Sequence, residues 1–474
     1  MPLEPHTIKD YDTVLRNKIM EKEGFDAKVY YHDRDTPTIG YGLALYDKGS
    51  GRKVDSAFDN ITDANIAISK ADYKLFDKIE TEMKASSPSD KTIKGLVDKL
   101  SLDLENEATG QKVLDNTLAG HYTNIVRDAI GDTQYNALKD SKELVTLVDM
   151  AYNAGSALFG PGFKHAMSHE NRAEVWFQIR YDSNSGESRK NSGKGIANRR
   201  VSQSDMFGLY DETPSAEGMK DIIRMARFHA TKIATEESAF PVTTSSSSAN
   251  PYAGDNGITH QIQAAKDYLI KEFGKDVTID GKLIVGNDSI NDNSANRGQT
   301  KINDTNLKGG SKNDLIFGEK GNDTLRGYAG DDVLSGGEGK DKLYGGSGDD
   351  IYMAGEGDTI NDSDNTGKIY FDATLLSGVK HKVSEGVYED DMFSYTKTNG
   401  TLVISQKEDA SKSVTVENWD AQTQKALDIE LSEEKVNEVN NTNEVPNSIL
   451  PESINNYLEQ FDGNIDNNIE IQQE

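Results

Sequence analysis

The chain has 474 residues, enough for two to four domains, and only 35% of them are hydrophobic, so part of the length is not expected to build a conventional core. It contains no cysteine, which excludes disulfides and thiolate metal sites. The net charge of −28 is uneven: residues 1–210 carry 28 basic and 32 acidic side chains, whereas residues 211–474 carry 24 and 48. That distribution leaves no basic stripe for nucleic acid, and no apolar run is long enough to span a bilayer.

The first residues, MPLEPHTIKDYDT, lack the apolar stretch of a secretory signal. Residues 11–21 have helical spacing of Val14, Ile19 and Met20. The run AKVYYHDRDTPTIGYGLALY (27–46) is rich in β-formers broken by Asp, Pro and Gly, as in a small hairpin sheet. Helical patterns return near 64–83, 144–154, 172–179, 197–209 and 217–236. A flexible linker, TTSSSSANPYAGDNG (243–257), precedes one amphipathic helix over 259–273.

From Gly309 the chain reads GGSKNDLIF, GEKGNDTLR, GYAGDDVLS, GGEGKDKLY and GGSGDDIYM. Glycine opens each unit. Asp314, Asp323, Asp332, Asp341 and Asp350 hold position six, and Ile316, Leu325, Leu334, Leu343 and Tyr352 hold position eight. Glycines permit left-handed turns and a close approach of carbonyls to a cation, aspartates supply hard anionic oxygens, and the large residue two places on supplies an apolar face. A disordered acidic linker has no reason to keep both residue types in phase. The pattern resembles the calcium-binding nonapeptide of RTX (hemolysin-type) proteins, which implies a parallel β-roll and Ca2+ bound between turns by these five aspartates, about two to four ions in all. AGEGDTINDSD (354–364) reads as a degenerate closing turn. Runs such as KIYFD, TLVIS and SVTVENW follow as an all-β cap, and an Asn- and Glu-rich tail comes last.

EGFDAKVYYHDRDTPTIGYG (23–42) resembles the active-site segment of phage-type lysozymes, the glycoside hydrolase family 24 muramidases. Glu23-Gly24 and Thr38-Ile39-Gly40-Tyr41-Gly42 stand at the family distance of fifteen residues. DMAYNAGSALFG (149–160) and GIANRRVSQSDMF (195–207) resemble two later blocks, with insertions over 47–58 and 84–115. The resemblance implies Glu23 as general acid, Thr38 and an aspartate placing water on the opposite face of the sugar, and Arg199 near the glutamate. Nine residues after Glu23, where the family has its aspartate, stands His32 with Asp33 behind it, so the water-placing role falls to Asp33 or to His32.

The expected fold is therefore multidomain: an α+β lysozyme-like domain, mainly helical with a small hairpin sheet (1–212); a helical spacer and linker (213–300); a parallel β-roll (301–366); an all-β cap (367–431); and an acidic tail (432–474). The two resemblances imply a secreted enzyme that cleaves peptidoglycan, with export by type I secretion machinery, the tail as its signal, and an immunity protein as a further partner. A non-catalytic glycan-binding surface protein is the alternative, and a membrane-damaging toxin is disfavoured because no long apolar or amphipathic membrane segment is present in the sequence.

Overall fold

The structure, a computed structural model, describes residues 3–31, 36–46, 52–183, 189–239, 250–274, 276–286, 304, 306–419 and 425–435, with backbone alone for 189–195 and 435. It divides into two compact units, Met1–Gly218 with Thr231–Gly257, and Met219–Ala230 with Ile258–Glu474. His32, Asp33 and nearly all of the tail lie outside the described residues.

The first unit is mainly helical with one three-stranded antiparallel sheet, Asp26–Tyr30, Thr38–Gly40 and Leu43–Ala44. Its sequence predicts this: Pro37, Gly40 and Gly42 break the run of β-formers into short strands, and Gly40 and Gly42 take left-handed angles at φ 67° and 100°. The sheet packs Val29, Ile39 and Leu43 into a core shared with Phe58, Ile61, Phe76, Ile93 and Leu104. The helix Lys142–Ala154 buries every residue from Glu143 to Ala151 and forms the middle of the helical part. Its start is fixed by Ser141, whose side chain accepts from Leu144 N. Over 64–83 the helix begins only at Lys70, because Asn65 adopts φ 65° and Ser69 caps the helix by accepting from Asp72 N.

The pattern at 217–236 predicts one helix, but two form, Ala216–Phe228 and Ala230–Ser238, and the division between the units falls at this break. The expected helix over 259–273 is likewise two pieces, Ile258–Gln261 and Gln263–Phe273.

The second unit is a β-solenoid. Each turn takes eighteen residues, two nonapeptides, so that strands pair in parallel with the strand two repeats on: Leu315↔Val333, Val333↔Ile351, Leu307↔Leu325 and Leu325↔Leu343. Alternate repeats thus build two stacked sheets. One contains Leu283–Val285, Leu315–Lys320, Val333–Glu338, Asp350–Ala354 and Gly367–Phe371; the other contains Leu307–Gly310, Thr324–Ala329, Lys342–Ser347 and Thr359–Asn361. All five residues at position eight are fully buried between them. The second sheet runs on without a break, because Thr359–Asn361 pairs in parallel with Ser413–Glu417 (Ile360↔Val416) and the antiparallel cap strands continue from there. Roll and cap share one apolar cluster, with Leu343, Tyr395, Leu402 and Trp419 among its members.

The first sheet also has a covered outer face. Leu315, Val333 and Ile351 are buried at position seven, where the other sheet has the partly exposed Thr324 and the exposed Lys342. Phe317 meets Phe273 edge-on, with ring centroids 5.0 Å apart, and Lys220 lies over the Phe317 ring. Glu319 holds φ 75° where Gly337 and Gly346 stand in later repeats, a conformation that costs an L-residue about 1–2 kcal/mol. Its buried carboxylate accepts from Lys220 Nζ at 2.7 Å and Arg224 Nη2 at 3.0 Å, a satisfied ion pair that fixes the strained turn.

Candidate functional site

The repeat aspartates form two ladders along the roll. In the first, Asp314 N donates to Asp332 Oδ1 at 2.7 Å and Asp332 N to Asp350 Oδ1 at 2.8 Å; in the second, Asp323 N donates to Asp341 Oδ1 at 2.7 Å and Asp341 N to Asp358 Oδ1 at 2.8 Å. One carboxylate oxygen of each rung is thus used to lock successive turns, and all five predicted aspartates are buried. The second oxygens of Asp332, Asp341 and Asp350 are buried without a hydrogen-bond donor. They face glycine-walled gaps. A Cβ on Gly327 would lie 2.0 Å from Asp332 Oδ2 and 2.7 Å from the Gly345 carbonyl, and one on Gly336 would lie 2.5 and 2.7 Å from the Oδ2 atoms of Asp341 and Asp358. Position one is glycine because any side chain would fill this gap.

Burial pushes the Asp332 carboxyl up to about 7. It pushes Asp341 up to about 8, with the charge of Asp358 adding to it, and Asp350 also to about 8. Among the described residues no three acidic or histidine side chains converge on one point. The oxygens come instead from one or two carboxylates and neighbouring carbonyls, a hard, all-oxygen set that fits calcium. Asp358 joins the second ladder and Asp362 lies near the end of the first, its charge acting on Asp350; neither had been singled out in the sequence. Both lie in the degenerate closing turn, where Asp358 falls seventeen residues after Asp341 instead of eighteen, and Asp362 Oδ2 accepts from the Tyr352 hydroxyl at 2.9 Å.

In the helical unit, Glu23 ends the helix Tyr11–Lys22 in extended conformation, its N–H donating to Ile19 O. Arg199 Nη1 donates to Glu23 Oε1 at 3.1 Å, and Arg199 Nη2 donates to Asp149 Oδ1 at 2.9 Å. Gln203 Nε2 donates to the other Asp149 oxygen at 2.5 Å. Burial opposes the Arg199 charge, but the carboxylates of Asp149 and Glu23 outweigh it and raise its pKa. Glu23 Oε2 lies 3.6 Å from where a Cβ on Gly42 would stand, and the Tyr152 hydroxyl lies 3.1 Å from the same point. The Glu23 side chain is 29% exposed.

Tyr152 donates to Tyr41 O and packs at a tilt against Tyr122, ring centroids 4.9 Å apart; burial and then the Glu23 charge push the Tyr122 phenol up to about 12. Tyr122 and Tyr152 also line a cleft of about 410 Å³ with Thr36, Leu43, His121 and Asn153. Thr38 heads the second strand and donates to Thr36 O at 2.8 Å. The structure thus brings Glu23 and Arg199 together. Asp149, Tyr152 and Gln203 complete the cluster; each lies in a sequence block already noted, at the three- or four-residue spacing (Asp149–Tyr152, Arg199–Gln203) that shares one helix face.

Residues 303–334 and 326–360 match the family "RTX calcium-binding nonapeptide repeat (4 copies)", so calcium is the ligand of this repeat class. No curated protein matches the chain. Among solved structures it is similar to the solution structure of the AlgE6R3 subunit from the Azotobacter vinelandii mannuronan C5-epimerase. That similarity has 26% identity over 30% of this chain and 91% of that one, with a TM-score of 0.18. No described helix is long and apolar enough to cross a membrane.

Proposed function

We propose that this chain is a secreted muramidase whose C-terminal half folds on calcium after type I export. The observation that carries the enzymatic reading is Glu23: a partly exposed carboxyl at a helix end, one oxygen held by Arg199, the other beside Gly42, next to which the Tyr152 hydroxyl also stands. Protonated Glu23 gives its proton to the glycosidic oxygen as the C–O bond breaks. Water, held from the opposite face by Thr38 and by Asp33 or His32, adds to the anomeric carbon and releases a proton to that group, which inverts the configuration. Arg199, itself anchored on buried Asp149, orients the Glu23 carboxyl and keeps it from swinging away. The reading draws further support from the order of three sequence blocks resembling phage-type lysozymes.

Calcium serves the other half. At the low calcium of a cytosol, repelling aspartates keep the roll open for export, and outside, millimolar calcium saturates sites of about 10⁻⁴ to 10⁻³ M affinity. Asp314, Asp323, Asp332, Asp341 and Asp350 would hold the ions with the position-one carbonyls. Bound calcium supplies charge neutralisation between turns.

The test is release of soluble fragments from purified peptidoglycan by the full chain in calcium, beside Glu23→Gln. Cleavage by the parent alone supports the reading. A folded parent that releases nothing refutes it and favours a glycan-binding role, the alternative that His32 at the family's aspartate position suggests.

A further inference from the structure

The first aspartate ladder does not end on an aspartate. Leu283 pairs with Leu315 in the same register that pairs Leu315 with Val333 and Val333 with Ile351, so Lys282 occupies the rung one turn ahead of Asp314. Its backbone confirms the equivalence: Lys282 N donates to Asp314 Oδ1, as Asp314 N does to Asp332 Oδ1. At the next two rungs, Asp314 and Asp332, the side chain is a carboxylate facing a gap lined by the glycine carbonyl of the next turn. Asp314 Oδ2 and the Gly327 carbonyl both border the gap at Gly309, 2.3 and 2.6 Å from its virtual Cβ. At the first rung the equivalent carbonyl, Gly309 O, accepts from the Lys282 ammonium instead, which also donates to Lys308 O at 3.2 Å.

We propose that the Lys282 ammonium takes the place of a calcium ion at the N-terminal end of this column. The physical reason is coordination number. Calcium needs six to eight oxygens, and the terminal rung offers no carboxylate of its own, whereas an ammonium is satisfied by two or three carbonyls. The second ladder ends instead on an aspartate: Asp304 N donates to Asp323 Oδ1, and the Asp304 carboxylate lies 3.8 Å from Arg227 Nη2. The Lys282 rung then needs no metal and serves as a preformed edge onto which calcium-loaded turns add.

This inference rests on the calcium-binding reading of the ladders, and one experiment separates the two. Calcium ions per chain are counted by equilibrium dialysis on the full chain, on Lys282→Asp and on Lys282→Met, together with the calcium concentration that half-folds the roll by circular dichroism. Lys282→Asp restores a carboxylate and is expected to bind one ion more than the parent. Lys282→Met is expected to bind the parent's number but to need several-fold more calcium to fold. A parent that binds no calcium would remove the ladder reading itself. A calcium-binding parent with an unchanged count in Lys282→Asp overturns the Lys282 assignment alone. Should Lys282→Asp not fold, an unchanged folding midpoint in Lys282→Met overturns it equally.

Discussion

Acid should partly replace calcium in folding the roll. Asp332, Asp341 and Asp350 are buried, and their carboxyls are raised from 3.8 to about 7, 8 and 8. A group whose folded pKa lies above its unfolded value binds more protons in the folded state. Without metal, the folded roll is therefore favoured below about pH 4 and loses that advantage as pH rises through about 8. Each unit of displacement is worth about 1.4 kcal/mol, so the displacement at Asp332 alone, from 3.8 to about 7, is about 4 kcal/mol. Set against a domain stability of about 5–15 kcal/mol, one or two such groups decide whether the roll folds. Trp419 is buried in the shared core of roll and cap, and it is the sole indole once Trp176 is replaced by Phe. In chelator, its emission maximum should shift to the blue as pH falls from 8 to 5. In millimolar calcium it should stay blue across that range, because the cation takes the protons' place. Emission that remains at the unfolded position at pH 5, or is already native at pH 8 in chelator, would refute the reasoning.

Other perturbations have equally definite outcomes. Gly327→Ala would put a methyl group 2.0 Å from Asp332 Oδ2 and 2.7 Å from the Gly345 carbonyl, so a calcium titration should show fewer ions bound and a higher folding midpoint. Leu334→Ala empties a fully buried position between the two sheets and should cost about 2–5 kcal/mol, read in the denaturation midpoint of the calcium-loaded chain. Glu319→Gln leaves Lys220 and Arg224 facing a neutral amide in a buried setting and should lower stability by about 3–5 kcal/mol in the same assay. Arg199→Met should depress peptidoglycan cleavage, because the Glu23 carboxyl loses the donor that orients it. Unchanged cleavage would mean that Arg199 acts only on Asp149.

The roll's local rules were legible in the sequence. Period nine, glycine at position one, aspartate at six and a large apolar residue at eight are choices each repeat makes alone, since side-chain alternation and turn conformation depend on nearest neighbours. The short sheet around Thr38 and the helix end at Glu23 were legible for the same reason. Tertiary structure decided which partners those elements meet. Pairing across eighteen residues, not nine, sorts the repeats into two ladders, and it places Lys282, which no repeat pattern marks, on the rung before Asp314. Arg199 reaches Glu23 across 176 residues of chain, and Asp149 becomes its second anchor only because two helices pack side by side. The break between Phe228 and Ala230 was equally hidden, because helical spacing runs straight through it. What assigns Met219–Ala230 to the roll is the seat that Phe317 and the strained Glu319 offer to Lys220 and Arg224, a burial term that exists only once the sheet has formed.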